Sequence, residues 1–344
     1  MKCAISIVIP VYNVEQYIAD CLQSVMCQTY QGPLECILVD DCGTDTSMEI
    51  VEKLIAEYQG PIEFRVLHHE HNRGISAARN TGMDAAKGDY VYFLDSDDWI
   101  SDDCIEKLTE PLLQEKVDIV VGDYEMIGGT PNKWIELSCP EGKYHEKELA
   151  KTFCNAGVYV MPWNKLYRKD FLVKYQLSFE EGKVHEDEIL AFELSCVEKT
   201  FFVVKSVTYY YRIRENSITT QPDQIKKANG YIGVLKSVEE IVKRYSKVEG
   251  VFDHYFFEVR RIFGWITNNL DDNARNYVDT LTDGYLDVIP NVRYLQNKHN
   301  RFVYIACRKE QSYSRYQYVT EVLTSKLRGR LLRKLLGYLP YKAN

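Results

Sequence analysis

The sequence predicts an α/β protein: a Rossmann-like, mostly parallel sheet flanked by helices, continued by a helical C-terminal extension. Apolar runs alternate with amphipathic stretches at a spacing of ~25–30 residues, as βαβ units do. Polar clusters recur just after the apolar runs, where ligands of open α/β sheets bind. Beyond about residue 222 the pattern becomes helical, with few turn signals before Pro290.

Residues 4–10 read as a buried parallel strand. Ile18, Cys21, Leu22 and Val25 recur at i, i+3, i+4 and i+7 and place a helix after it. A second strand at 36–39 ends in Asp40-Asp41. Gly43-Thr44-Asp45 turns the chain, and Ile50, Val51, Leu54 and Ile55 mark the next helix. A third strand covers 62–67, and Ala77, Ala78, Gly82, Ala85 and Ala86 form a helix of small residues. The fourth strand, 90–94, runs into Asp95-Ser96-Asp97-Asp98, and 117–121 reads as a fifth. Residues 125–160 are irregular. Residues 162–215 carry a second set of polar signals.

Composition removes several classes. With 45% apolar and 27% charged residues the chain is not disordered. A net charge of −8 argues against a nucleic-acid partner. The ten cysteines include no CxxC pair, and Cys3, Cys21, Cys36 and Cys196 sit among apolar residues; reduced thiols and a cytoplasmic location are expected. The N-terminal apolar run stops at Pro10, which suits a strand better than a signal peptide. No stretch reaches the ~18 uncharged apolar residues of a membrane span.

Three carboxylates within four positions at the end of an apolar strand repel one another, and a cation among them relieves the repulsion. Hard oxygen ligands suit Mg²⁺ or Mn²⁺, ions that accompany phosphate-bearing substrates. A solvated turn, with Asp98 capping a helix near Trp99, is the alternative at this point. His68-His69-Glu70-His71 reads as a strand-end loop rather than a transition-metal site.

Four blocks in order carry a family resemblance. They are Ser6-Ile7-Val8-Ile9-Pro10-Val11-Tyr12-Asn13, Leu38-Val39-Asp40-Asp41-Cys42-Gly43-Thr44-Asp45, Asn72-Arg73-Gly74-Ile75-Ser76-Ala77-Ala78-Arg79-Asn80-Thr81-Gly82, and Asp95-Ser96-Asp97-Asp98. The chain resembles the family 2 glycosyltransferases of bacterial capsule and exopolysaccharide assembly, which have a GT-A fold. The match is strong over residues 4–125 and looser over 160–220. The family more often has Gly-Ser where this chain has Cys42-Gly43.

The resemblance implies roles. Pro10, Tyr12 and Asp41 would hold the nucleotide base, with Tyr12 stacking and Asp41 accepting a hydrogen bond from a uracil-like N–H. Asp95 and Ser96 would meet the nucleotide, and Asp97, with Asp95, the Mn²⁺ or Mg²⁺ ion. Gly182-Lys183-Val184-His185-Glu186-Asp187-Glu188 resembles the family's ED motif, making Asp187 the catalytic base with Glu186 in support. Arg79 meets phosphate or forms an ion pair with an acidic turn; both readings stand. Trp163, Asn164, Lys165 and His185 are candidates for the acceptor side, although Trp163 also reads as a buried residue beside a strand. Arg212 and Arg214 would close over the diphosphate, or act as ion-pair partners.

The expected organisation is a GT-A domain at 1–220, with a nucleotide-sugar half (1–125) and an acceptor half (126–220), and a mainly helical region at 221–344. That region ends in a basic amphipathic helix, where Lys326, Arg328, Arg330, Arg333 and Lys334 interleave with leucines from Leu323 to Leu336. Such a helix suits an anionic membrane surface, on the inner face of the cell membrane, or packing on its own domain or a partner subunit. The expected partners are a nucleotide-sugar donor, with a UDP-sugar favoured, and a saccharide or lipid-linked acceptor; a homo-oligomer is left open. The competing function is an inactive nucleotide-binding homologue acting as a partner subunit. The presence of both Asp97 and Asp187 speaks against it.

Overall fold

The computed structural model describes residues 2–128, 137–145, 157–214, 223–269, 285–296 and 300. The chain divides into two compact units, Met1–Pro222 and Asp223–Asn344.

The first unit is built on a nine-stranded sheet. Its parallel half comprises β1 (Ile5–Val11), β2 (Leu34–Asp40), β3 (Glu63–His68) and β4 (Tyr90–Phe93), in the spatial order β3-β2-β1-β4. Every residue of β1 is buried, so its unbroken apolar run is what a strand covered on both faces requires. Pro10 breaks no ladder bond. The Val8 carbonyl accepts from Leu94 N–H at 3.0 Å, so Pro10, two residues on, faces the same side beyond the end of β4.

Three helices connect these strands: α1 (Ile18–Met26), α2 (Ser47–Glu57) and α3 (Ile75–Ala85). The small residues of α3 are a packing requirement. A Cβ on Gly82 would lie 2.3 Å from Val8 Cγ1, so this helix approaches the sheet too closely for any side chain there.

Beyond β4 the sheet becomes mixed. The short strand β5 (Trp99–Ile100) occupies the position where a helix start was an alternative; α4 (Cys104–Thr109) begins later. Strand β6 (Ile119–Ile127) follows, then β7 (Gly142–His145) inside the span expected to be irregular. β8 (Lys165–Arg168) inserts antiparallel between β4 and β6. Helices α5 (Lys169–Tyr175) and α6 (Glu186–Cys196) lead to the 13-residue strand β9 (Thr200–Arg212). β9 pairs with β6 in parallel and with β5 and β7 antiparallel, so its C-terminal end reaches the segment after β4.

In the second unit, α7 (Gln224–Arg244) starts at Asp223, whose carboxylate accepts from Lys226 N–H at 2.9 Å. Ile232, Leu235, Val238, Ile241 and Val242 form its buried face, and α8 (Val251–Asn269) contributes Tyr255, Phe256, Val259, Ile262 and Ile266. Among the described residues no helix is long and apolar enough to cross a membrane. The basic amphipathic segment expected at 323–336 lies outside the described residues.

Candidate active site

Tyr12, just past the end of β1, is 46% exposed, whereas Pro10, the next-to-last residue of that strand, is buried. The loop that carries Tyr12 is laced to the loop after β2. Thr44 N–H donates to Asn13 Oδ1 (2.8 Å), Val14 N–H to Ser47 Oγ (2.9 Å) and Glu15 N–H to Asp45 Oδ2 (2.9 Å). The ring therefore stands on a fixed platform suited to stacking.

Two successive aspartates end β2, and two successive histidines end or follow β3, because parallel pairing sets Asp40 opposite His68. Asp40 Oδ2 meets His68 Nδ1 at 3.0 Å, and Asp41 Oδ1 meets His69 Nδ1 at 2.7 Å. Asp41 also accepts from Arg73 N–H (2.9 Å) and Gly74 N–H (2.8 Å), holding the start of α3, where Gly74 has φ +87°. Both Asp41 oxygens thus have protein partners, and its side chain is 3% exposed. Asp40, at 17%, is the more accessible of the two.

The carboxylates after β4 take three separate roles. Asp95 Oδ1 accepts from Arg79 Nη2 at 2.7 Å. Asp97 Oδ2 lies 2.7 Å from Arg214 Nε, and the Asp97 carbonyl accepts from Arg212 Nε at 3.1 Å. Asp98 is 1% exposed and accepts from the Tyr209 hydroxyl (2.6 Å) and Arg212 N–H (2.7 Å). Asp98 thus ties β9 to the acidic turn rather than facing a metal. Burial, then the charges of Asp97 and Asp95, push its carboxyl well above the usual range. Asp97 is pushed up by burial and by Asp95, with Arg214 opposing. Ser96, expected to meet the nucleotide, is buried.

The fit of a divalent ion rests on this charge crowding. Among the described residues no group of three or more His, Cys, Asp or Glu side chains forms a metal cage. Mg²⁺ commonly needs only one or two protein carboxylates, with phosphate and water completing its shell. Asp97 and Asp95 meet that requirement, and a cation beside them would relieve the repulsion that pushes Asp97 up.

The start of α6 is tied to the acidic turn through Arg79. His185 precedes it in the left-handed region (φ 65°), so the chain turns sharply and places Glu186, Asp187 and Glu188 in the first helical turn. Asp187 Oδ1 accepts from Glu188 N–H at 3.0 Å. Burial, then the neighbouring Glu186 charge, raise the Asp187 carboxyl to about 6, with Arg79 opposing.

Arg79 joins these two elements. Its Nη1 donates to Glu186 Oε1 and its Nη2 to Asp95 Oδ1, each at 2.7 Å, and its guanidinium lies 5.2 Å from the centre of the Phe179 ring. Asn80 pins Phe179 by bonding both its N–H (2.9 Å) and its carbonyl (2.8 Å). The phosphate role is therefore corrected: this buried arginine makes the ion pair.

Trp163, Asn164 and Lys165 are likewise corrected, because all three are buried core residues. Trp163 stacks on Tyr209, with ring centres 4.5 Å apart and planes 8° from parallel. Asn164 donates to the Asp123 carbonyl (2.8 Å) and accepts from Thr208 Oγ1 (2.9 Å). Lys165 Nζ donates to the Met161 carbonyl and sits 3.7 Å from the Tyr159 ring centre. Burial pulls its ammonium well below the usual lysine range. His185 directly precedes Glu186 and is half-buried.

Arg212 and Arg214 do reach the acidic turn. Arg212 packs over Trp99 (4.6 Å) and Tyr17 (5.2 Å), and Arg214 over Tyr17 (5.6 Å). Tyr17, Phe179 and Tyr209 are the site-supporting residues that sequence reasoning missed. For Tyr209 a faint signal exists: in a strand it shares a face with Tyr211 and opposes Tyr210.

Residues 6–175 match the sequence profile of Glycosyl transferase family 2. The chain is 35% identical over 231 residues to Glycosyltransferase GlyA of Streptococcus pneumoniae, covering 62% of this chain and 31% of GlyA. It is 34% identical over 222 residues to Putative glycosyltransferase EpsH of Bacillus subtilis, 62% of each chain. It thus spans less than two thirds of both relatives. Against Uncharacterized glycosyltransferase EpsJ of Bacillus subtilis it is 31% identical over 259 residues, 73% of this chain and 70% of EpsJ. Staphylococcus aureus TarS 1–349, crystallised with UDP-GlcNAc, superposes with a TM-score of 0.72 at 19% identity, covering 92% of this chain and 90% of that one. The fold is therefore GT-A, and the chain belongs to glycosyltransferase family 2.

Proposed function

We propose that the protein is an inverting, metal-dependent transferase. It moves a sugar from a nucleotide sugar, with a UDP-sugar favoured, to a saccharide or lipid-linked saccharide in surface polysaccharide synthesis. The observation that carries this reading is the shared guanidinium of Arg79, bonded both to Asp95 in the turn after β4 and to Glu186 in the first turn of α6. The name of GlyA and the UDP-GlcNAc bound to TarS support the activity and donor class.

In this reading Tyr12 stacks on the base. Asp97, with Asp95, holds Mn²⁺ or Mg²⁺, which when bound neutralises charge on the diphosphate. Arg214 and Arg212 face the same phosphates. The Asp187 carboxylate takes the proton of the acceptor hydroxyl as its oxygen bonds to the anomeric carbon. The bond from that carbon to the phosphate oxygen breaks on the opposite face, and its electron pair leaves with the nucleoside diphosphate. A base whose pKa is raised toward neutrality suits this step, since proton transfer is most effective when pKa lies near working pH.

The test is turnover of a UDP-sugar panel with Mn²⁺, with Mg²⁺ and with chelator. Hydrolysis or transfer only in the presence of metal is expected; metal-independent turnover would overturn the metal assignment. For the acceptor side, deletion after about residue 320 is expected to release the enzyme from anionic liposomes while sparing transfer to soluble acceptors. Equal liposome binding by the truncated protein would remove the membrane role.

A further inference from the structure

Resting on that reading of the reaction, we propose that Arg79 is a positioning residue for transfer: by gripping Glu186 and Asp95 together it sets the distance between the base on α6 and the diphosphate end of the donor. Asp187 follows Glu186 directly in the first turn of α6, so whatever holds Glu186 also orients the base.

Four features of Arg79 favour this role over substrate binding. Its side chain is 3% exposed, too enclosed to greet a phosphate. Both terminal nitrogens are committed at 2.7 Å to carboxylates on separate elements. Its Nε is buried with no hydrogen-bond partner, a cost accepted only where the surrounding structure dictates the guanidinium's position. Phe179, itself held by Asn80, backs the guanidinium face. A planar fork that binds two carboxylates at fixed geometry is what arginine supplies and lysine does not.

The titratable groups that face Asp187 lie on several elements. Glu186 lies on its own helix, Arg79 on α3, and Lys165 and Tyr167 on β8, with Asp95 held across the guanidinium. Arg79 is the cation that opposes the rise of the Asp187 pKa, so its removal moves the titration upward.

The experiment compares wild type with Arg79→Lys, which keeps the charge and so the fold but reaches one carboxylate at a time, and with Arg79→Gln. The readouts are calorimetric affinity for UDP with Mn²⁺, kcat and KM for a UDP-sugar, and the ¹³C NMR titration of the Asp187 carboxyl. Arg79→Lys is expected to lose ~10-fold or more in kcat, as misplaced catalytic groups do, with UDP affinity within ~3-fold of wild type. In Arg79→Gln the titration is expected to rise by ~1 pH unit. Full kcat in Arg79→Lys, or a tenfold loss of UDP affinity with kcat retained, would overturn the proposal. A wild type that turns over no nucleotide sugar would instead sink the transfer reading, while the NMR titration would still judge the coupling of Arg79 to Asp187.

Discussion

Asp95 and Glu186 are each held 2.7 Å from the same guanidinium, that of Arg79. One belongs to the turn after β4 and the other to the first turn of α6. The acidic turn after β4 and the acidic start of α6 are therefore tied together through one side chain.

The Asp187 carboxyl, at about 6 rather than 3.8, should set the acid limb of kcat/KM near pH 6. Transfer then falls about tenfold per pH unit below it, because the protonated form accepts no proton. An acid limb near 4 would contradict the burial effect.

The same shift has a stability consequence of definite sign. A carboxyl raised in the folded state favours folding when protonated; that contribution is full below about 3.8 and is lost as pH rises through about 6. Asp187→Asn should therefore raise Tm at pH 7.5 by roughly 2–4 °C, about 1 kcal/mol for a unit of this size after allowing for partial solvation. The gain should vanish near pH 4. A lower Tm at pH 7.5 would show that the ionised carboxylate stabilises the fold.

Tyr209 donates to Asp98 at 2.6 Å, and its hydroxyl lies 3.4 Å from Asp95 N. Tyr209→Phe leaves a buried carboxylate short of a partner and should cost about 1–3 kcal/mol in urea unfolding. A change under about 0.5 kcal/mol would mean that water replaces the hydroxyl.

Trp163 is enclosed by Tyr124, Tyr159 and Tyr209. Trp163→Ala should destabilise the protein by about 3–5 kcal/mol. Unchanged stability with a raised acceptor KM would restore the sugar-stacking role.

Arg214 lies 2.7 Å from Asp97 and so competes with any other cation there. Arg214→Gln should bind Mn²⁺ alone several-fold more tightly by EPR titration, yet bind UDP with Mn²⁺ more weakly, having lost a phosphate partner. No change in either affinity would separate Arg214 from the metal turn.

The parallel half of the fold is legible in the sequence because its information is local. β1, β2 and β4 are built on apolar runs, and α1 shows its buried face as Ile18, Cys21, Leu22 and Val25. β9 is hidden because Thr200, Lys205, Ser206 and Thr208 interrupt its apolar character and its edges pair with three distant strands. The acidic turn is legible as charge crowding, and the Glu186-Asp187 pair through the family resemblance. What sets their roles is not. Trp163, Asn164 and Lys165 carry polar or aromatic groups suited to a ligand, and only the packing of β6, β8 and β9 around them shows that the core absorbs those groups. Asp41 and Asp98 are similar cases, since the backbone N–H groups of Arg73, Gly74 and Arg212 that occupy them come from other segments.

The most direct measurement pairs UDP calorimetry in Mn²⁺ with single-turnover transfer for two variants. Asp97→Asn should lose metal-dependent UDP binding. Asp187→Asn should keep UDP affinity within ~3-fold and lose at least ~10²-fold in transfer rate, the scale of a missing general base. Near wild-type transfer by Asp187→Asn would contradict the assignment of the base, and with it the two Arg79-linked turns as the seat of reaction.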